Sequence, residues 1–159
     1  MCGGDVTLTN TRPDHLQALI SKLDNSCCKI KVKGDRIRVI SSGRHKSINK
    51  IETMPYPGFP TDLQPQIMVL EAISNGTSVI VENLFETRFK HVGELVKMGA
   101  QILTEGRSAV IKGVEKLYGA EVTATDLRGG AGLVLAGLVA DGYTVVSNIG
   151  QIKRGYESI

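Results

Sequence analysis

Pro55-Tyr-Pro-Gly-Phe-Pro-Thr-Asp-Leu-Gln-Pro-Gln66 is the stretch from which the remainder of the chain can be read. Pro55, Pro57 and Pro60 with Gly58 stiffen the approach and set a fixed turn. Thr61 and Asp62 follow, then an apolar run, Ile67-Met-Val-Leu70, that reads as helix. A Thr-Asp pair at a helix mouth serves either as a cap or as a carboxylate presented on a rigid leader. On these residues alone both readings stay open.

Working outward, Ile51–Met54 reads as a strand leading into the motif, and the helix runs from about Leu63 to Ser74 until Asn75-Gly76 stops it. Thr77–Val81 is a strand and Glu82–Phe89 a loop. An amphipathic helix carrying Val92, Leu95 and Val96 ends near Gly99, and Gln101–Thr104 with Ala109–Ile111 makes a hairpin. The order is strand, helix, strand, helix, strand, strand.

That order recurs on both sides, which is the strongest organisational signal in the chain. Pro60-Thr-Asp62 returns as Ala124-Thr-Asp126, and Asn75-Gly76-Thr77 as Asp141-Gly142-Tyr143. Arg88, ahead of its helix, matches Arg12 and Arg154 ahead of theirs. Before the complete unit (51–116) stands a partial one (5–50). It holds a strand at Val6–Thr9, a helix opened by Pro13-Asp14 with Leu16, Leu19, Ile20 and Leu23 on one stripe, and a hairpin of Lys29–Lys33 and Arg36–Ile40 with one wet face. After it stands a second partial unit (119–159), with a strand at Glu121–Ala124, a helix at Leu127–Ala140, a strand at Tyr143–Val146 and a helix beginning at Arg154. The helices near Leu63 and Leu127 are apolar nearly all round (Leu133, Val134, Leu135, Leu138, Val139), so they are expected to be buried on most sides. The expected fold is therefore α/β: an inside-out, barrel-like single domain of incomplete repeated βαβαββ units, apolar helices inside and sheets outside.

Composition narrows the function. The 159 residues carry a net charge of +3, spread along the chain, with 4% aromatics and no Trp, a poor basis for nucleic-acid stacking. The longest apolar run, Leu133–Ala136, is broken by Gly137, so no membrane span is expected. No charged-then-apolar leader opens the chain, which predicts a cytoplasmic protein. Cys2, Cys27 and Cys28 fit neither a disulfide framework nor a zinc site, and are read as structural or incidental thiols. His15, His45 and His91 match no metal spacing. No metal and no cofactor is expected.

Asp62 and Asp126 stand at the mouths of the apolar helices, Arg88 and Arg154 at those of the amphipathic ones, with Arg128 two residues past Asp126. Helix N-termini attract anions, and arginine forks fit carboxylate and phosphate. Gathered at one end, these mouths would suit a phosphorylated or carboxylated ligand. The alternative is that each Asp caps and each Arg pairs locally.

Five ordered motifs, Pro57–Gln64, Phe85–Val92, Met98–Ala100, Gly119–Arg128 and Arg154–Glu157, closely resemble the enolpyruvyl transferase family, in the branch acting on UDP-N-acetylglucosamine in bacterial peptidoglycan synthesis. The shikimate-pathway branch does not fit the Pro-Gly-Phe-Pro-Thr-Asp string. The resemblance implies two inside-out domains of three units each, of which this chain covers most of the C-terminal one. It implies transfer of enolpyruvyl from phosphoenolpyruvate to the 3-hydroxyl of UDP-N-acetylglucosamine, through a tetrahedral intermediate. It makes Asp62 the base, ties Asp126 to the intermediate and gives phosphoenolpyruvate's anionic groups to Arg154. Leu84, with Phe85 beside it, matches the backbone position at the nucleotide sugar, and Thr61, Arg88 and Arg128 line the cleft. The family's catalytic cysteine belongs to the other, N-terminal domain, and Cys27 and Cys28 do not match it. Thr87 stands where the family often has Asn. The chain alone is thus expected to be inactive, with the missing domain as its partner, and with an exposed face that could pair with a second copy. The other reading is a stand-alone, non-catalytic module that binds a UDP-sugar or another protein.

Overall fold

The computed structural model describes residues 1–24, 26 and 28–157. Cys27 and the end of the helix expected to start at Arg154 lie outside these residues. Among them three separate sheets form, and none closes into a barrel.

The first sheet has the order β1-β3-β2, with β1 at Gly4–Leu8, β2 at Lys29–Lys33 and β3 at Arg36–Ser41, all antiparallel. Directly paired residues share a face. The register sets Lys31 opposite Arg38 and Lys33 opposite Arg36, so the cations line one side. Val32 faces Ile37 and Ile30 faces Val39, and β1 adds Leu8 and Val6 to that apolar side. Strand β1 lies beside β3, at the edge opposite β2, a pairing the local pattern could not express. The stripe of Leu16–Leu23 becomes a 3₁₀ turn at Pro13–Leu16 followed by α1 at Gln17–Asp24, with Leu19 and Leu23 leaning on the core.

The second sheet is complete: β4-β5-β7-β6, from β4 at Lys50–Glu52, β5 at Thr77–Val81, β6 at Gln101–Glu105 and β7 at Ser108–Lys112. β4 and β5 run parallel, which demands a crossover. α2 (Gln64–Ala72) provides it. α3 (Val92–Lys97) then leads into the β6–β7 hairpin. Ile67, Met68, Val69 and Leu70 of α2 meet Ile51, Ile80, Ala109 and Ile111 of the sheet, with Leu95 and Met98 closing the core.

The third sheet pairs β8 (Glu121–Thr123) in parallel with β9 (Val145–Ser147) across α4 (Leu127–Val139). α4 packs on α2 and begins with a face of minimal size. A Cβ on Gly132 would stand 3.3 Å from the Pro65 carbonyl, and one on Gly130 would stand 2.6 Å from Ile152. Glycine disfavours helix by roughly 1 kcal/mol each, so tertiary packing holds this segment helical.

Four expectations need correction. α4 is not buried all round: its early residues and Leu133 are, but Leu138 is 68% exposed, and Val134, Leu135 and Val139 are partly covered. The apolar pattern recorded what the helix can bury; the described residues do not cover that side. The strand placed at Tyr143–Val146 begins two residues later, and Tyr143 faces solvent. No helix starts at Arg154. A single 3₁₀ turn, Ile152–Arg154, ends there, anchored by buried Ile152 against α4. The α2 helix is preceded by another such turn, Thr61–Leu63, so Asp62 lies inside a turn rather than at a cap. Among the described residues no helix is long and apolar enough to cross a membrane.

Candidate functional site

Asp62 decides between the two readings of the Thr-Asp pair. Its carboxylate caps nothing, since the turn at Thr61–Leu63 has no side-chain cap bond. Instead Oδ1 accepts from Arg88 Nη2 at 2.8 Å and Oδ2 from Arg128 Nη2 at 2.9 Å. One carboxylate thus joins guanidiniums from two different stretches of chain at the mouths of α2 and α4.

Each arginine is held from behind. Arg88 Nε donates to Thr61 Oγ at 3.0 Å, and its guanidinium lies 4.9 Å over the Phe85 ring. Arg128 Nη1 donates to Tyr156 Oη at 3.4 Å, with that ring 5.8 Å beneath, and Gln66 Nε2 donates to the same hydroxyl. The Tyr156 and Asp62 contacts hold the Arg128 guanidinium above its ordinary range.

Asp126 does cap. In extended backbone, its Oδ1 accepts from the amides of Arg128 at 3.0 Å and Gly129 at 2.8 Å, fixing the start of α4. It also borders a crevice of about 130 Å³ lined by Phe85, Thr87, Arg88, Lys90 and Asp126. Asp126→Ala is expected to lower stability by about 1 kcal/mol, the loss of one cap. Thermal melts of the two chains would measure it.

Arg154 stays apart. It donates to Gln151 Oε1 at 3.4 Å and makes no hydrogen bond to the Asp62 cluster among the described residues. Arg12, the third member of the series, pairs locally with Asp14 at 2.8 Å. Leu84 is exposed beside Phe85, its amide turned inward.

Two residues to which the sequence assigns no role stand behind the cluster. Glu82, 1% exposed, accepts from the Thr53 and Thr61 hydroxyls and from the amides of Leu84 and Phe85. His91 is fully buried, and burial pushes its imidazole down to about 4 against the opposing pull of Asp126. It is neutral at pH 7. A carbonyl only accepts, so Nδ1 donates to Arg88 O at 3.2 Å and fixes the tautomer. The only advance signal for Glu82 was its place directly after the strand Thr77–Val81, where a lone acid ends an apolar run. His91 offered none.

Cys28 is buried with Sγ 3.6 Å from His45 Nδ1, and Cys2 is exposed; neither lines the crevice. No group of metal-ligating side chains exists among the described residues. A larger depression, about 310 Å³, is lined by Met1, Cys2, Arg44, His45 and Lys116 among others and holds none of the catalytic or substrate-binding residues expected from the sequence.

Two crossovers onto parallel strands bring acid and arginine to the helix mouths, in a fold shared with the enolpyruvyl transferases. Comparison with known proteins agrees: the model of the EPSP synthase (3-phosphoshikimate 1-carboxyvinyltransferase) family matches residues 1–159, and the chain belongs to that family. Within it, the chain is 51% identical over 159 residues to "UDP-N-acetylglucosamine 1-carboxyvinyltransferase 2" of Caldanaerobacter subterraneus subsp. tengcongensis, covering all of this chain and 38% of that one. It is 56% identical over 153 residues to a UDP-N-acetylglucosamine 1-carboxyvinyltransferase of Desulfofundulus thermocisternus, covering 96% of this chain and 63% of that one. The enolpyruvyl transferase NikO from Streptomyces tendae superposes with a TM-score of 0.85 at 26% identity, over 96% of this chain and 36% of that one. EPSP synthase from Acinetobacter baumannii shares the fold at a TM-score of 0.71 and 18% identity, over 98% and 39%. The chain thus spans about two fifths of the length of the first of these relatives.

Proposed function

We propose that this chain is one wall of the cleft of a UDP-N-acetylglucosamine 1-carboxyvinyltransferase, cytoplasmic and serving peptidoglycan synthesis. The observation that carries the reading is Asp62 bridging Arg88 and Arg128, a carboxylate set between two anion-binding forks. The names of relatives at about half identity along the whole chain favour UDP-N-acetylglucosamine over shikimate as acceptor. In this reading the three sheets belong to repeated units over 5–50, 51–116 and 119–159.

Asp62 accepts the proton of the sugar 3-hydroxyl while that oxygen bonds to C2 of phosphoenolpyruvate and C3 takes a proton from an acid on the facing N-terminal domain. The C2–O bond to phosphate then breaks, phosphate leaves, and a C3 proton returns to the conjugate base of that acid, restoring the vinyl group on the sugar. Each Asp62 oxygen is met by one guanidinium and keeps a lone pair for the hydroxyl. Arg154, once turned inward, takes the phosphate and carboxylate of phosphoenolpyruvate, and Arg88 and Arg128 line the cleft as anion-binding forks for the substrates. Asp126, at the crevice edge, faces the addition intermediate. Thr61, Leu84 and Phe85 shape the sugar side.

The crevice is about 130 Å³, against roughly 300–1,000 Å³ for a small-molecule site. Half a site is therefore the reading, with the N-terminal domain supplying the catalytic cysteine and the facing wall, and the chain silent alone. Titrating UDP-N-acetylglucosamine against the chain tests this. Weak binding is expected, reduced by about tenfold or more in Arg88→Ala, as befits loss of charge-assisted hydrogen bonds. Equal affinity of the two chains would refute the site. Phosphate release by the wild-type chain alone would refute its silence.

A further inference from the structure

We infer that Glu82 is a positioning residue: its carboxylate sets the direction of hydrogen bonding through Thr61 and so holds Arg88 against Asp62. The inference deepens the proposed function and rests on it for the ligand; the positioning is a property of the free chain.

Glu82 follows β5 directly and is almost fully buried, with no Lys or Arg paired to it among the described residues. A carboxylate that deep persists only when donors surround it. Oε1 accepts from Thr53 Oγ at 2.8 Å, Leu84 N at 3.0 Å and Phe85 N at 3.1 Å, and Oε2 accepts from Thr61 Oγ at 2.9 Å. A carboxylate accepts and does not donate. The Thr61 hydrogen therefore points at Glu82, and its lone pairs turn to Arg88 Nε at 3.0 Å. The same guanidinium reaches Asp62 through Nη2 at 2.8 Å. A second route starts at the same carboxylate: gripping the Phe85 amide sets that ring 4.9 Å under the guanidinium. Arg88 is thus held by its edge and by its face, and both holds begin at Glu82.

Glutamine has the same shape and the wrong polarity. With its amide nitrogen toward Thr61, it competes with Arg88 for the hydroxyl's lone pairs. With that nitrogen toward Thr53, it confronts three donors. Either orientation breaks one hold.

Hydrogen exchange at Arg88 Nε–H, followed by ¹⁵N NMR on the chain, reads this directly. Glu82→Gln and Thr61→Val are expected to speed exchange by about tenfold or more, and Thr61→Ser and Thr53→Val by no more than about twofold. Thr53→Val removes an equally close bond to the same carboxylate, so it reports generic loosening. Unchanged exchange in Glu82→Gln, or equal acceleration in Thr53→Val, overturns the inference. Should Glu82→Gln fail to fold, the contrast of Thr61→Val with Thr53→Val decides in the same way. If wild type does not bind UDP-N-acetylglucosamine, the functional reading fails while the exchange result still upholds or overturns the positioning role.

Discussion

Asp62→Asn, assayed on the proposed function with the N-terminal domain of a UDP-N-acetylglucosamine 1-carboxyvinyltransferase supplied as a separate polypeptide, is expected to cut phosphate release by about 10²–10⁴-fold, the range of a lost general base. Asparagine keeps the shape and can still accept through one oxygen. It cannot take the proton from the sugar hydroxyl. Its amide nitrogen would also face either Arg88 or Arg128, donor against donor, so one fork must swing away from the position it holds at 2.8 or 2.9 Å. Stability should barely move, because the side chain is 52% exposed and surface ion pairs contribute little, roughly 0–1 kcal/mol. Turnover retained above about a tenth would remove Asp62 from the role of base.

Glu71→Gln should stabilise the chain at pH 8 by about 3 kcal/mol relative to its effect at pH 4. Glu71 lies wholly inside, on α2, with Oε2 taking the Ile48 amide at 2.9 Å. Burial raises its carboxyl from 4.5 to about 7, only partly offset by the Ile48 amide and the Ser78 and Ser74 hydroxyls. The sign follows from that direction. Below 4.5 the group is neutral in folded and unfolded chains alike. As pH rises toward 7 the unfolded chain ionises first, so the stability this residue contributes is lost across that window and stays lost above it. Glutamine never ionises. Urea unfolding of both chains at several pH values isolates the effect, since exposed pairs such as Lys116–Asp141 are common to both. A wild-type-to-variant difference that is flat from pH 4 to 8 would show that Glu71 does not titrate there.

Where local chemistry dictates structure, the chain could be read directly. Thr77–Val81 is β-branched throughout except for one serine, and the strand has those limits. Lys29–Lys33 alternates with period two, and its cations line one face. The limits failed where a contact distant in sequence sets the boundary. Ile152 is drawn under α4, so the last helical turn comes before Arg154 rather than after it. The candidate site divides along the same line. Repetition of the Thr-Asp pair and of arginine before helices pointed to Asp62, Asp126, Arg88 and Arg154, with Arg128 close to Asp126; the fold joins Asp62 to Arg88 and Arg128 and leaves Arg154 apart. It could not tell that Asp62 is a bridge and Asp126 a cap, because both are Thr-Asp at a helix mouth. That difference is made by guanidiniums arriving from elsewhere. Glu82 was illegible for the same reason: its four donors come from positions 53, 61, 84 and 85, and only folding assembles them.

The bare opening of α4 bears on how this wall could change over time. Gly129, Gly130 and Gly132 stand where any added carbon meets Asp126, Ile152 or Pro65 within 3.3 Å. The start of α4 behind Asp126 therefore has no room to grow, and its amide-rich end is pinned in place. Altered ligand preference would have to arise at the rim, through Phe85, Thr87 or Lys90, which are exposed and free to vary in size. On the proposed function, the part that resists drift is the part next to the reacting groups, and the part that tolerates it is the rim.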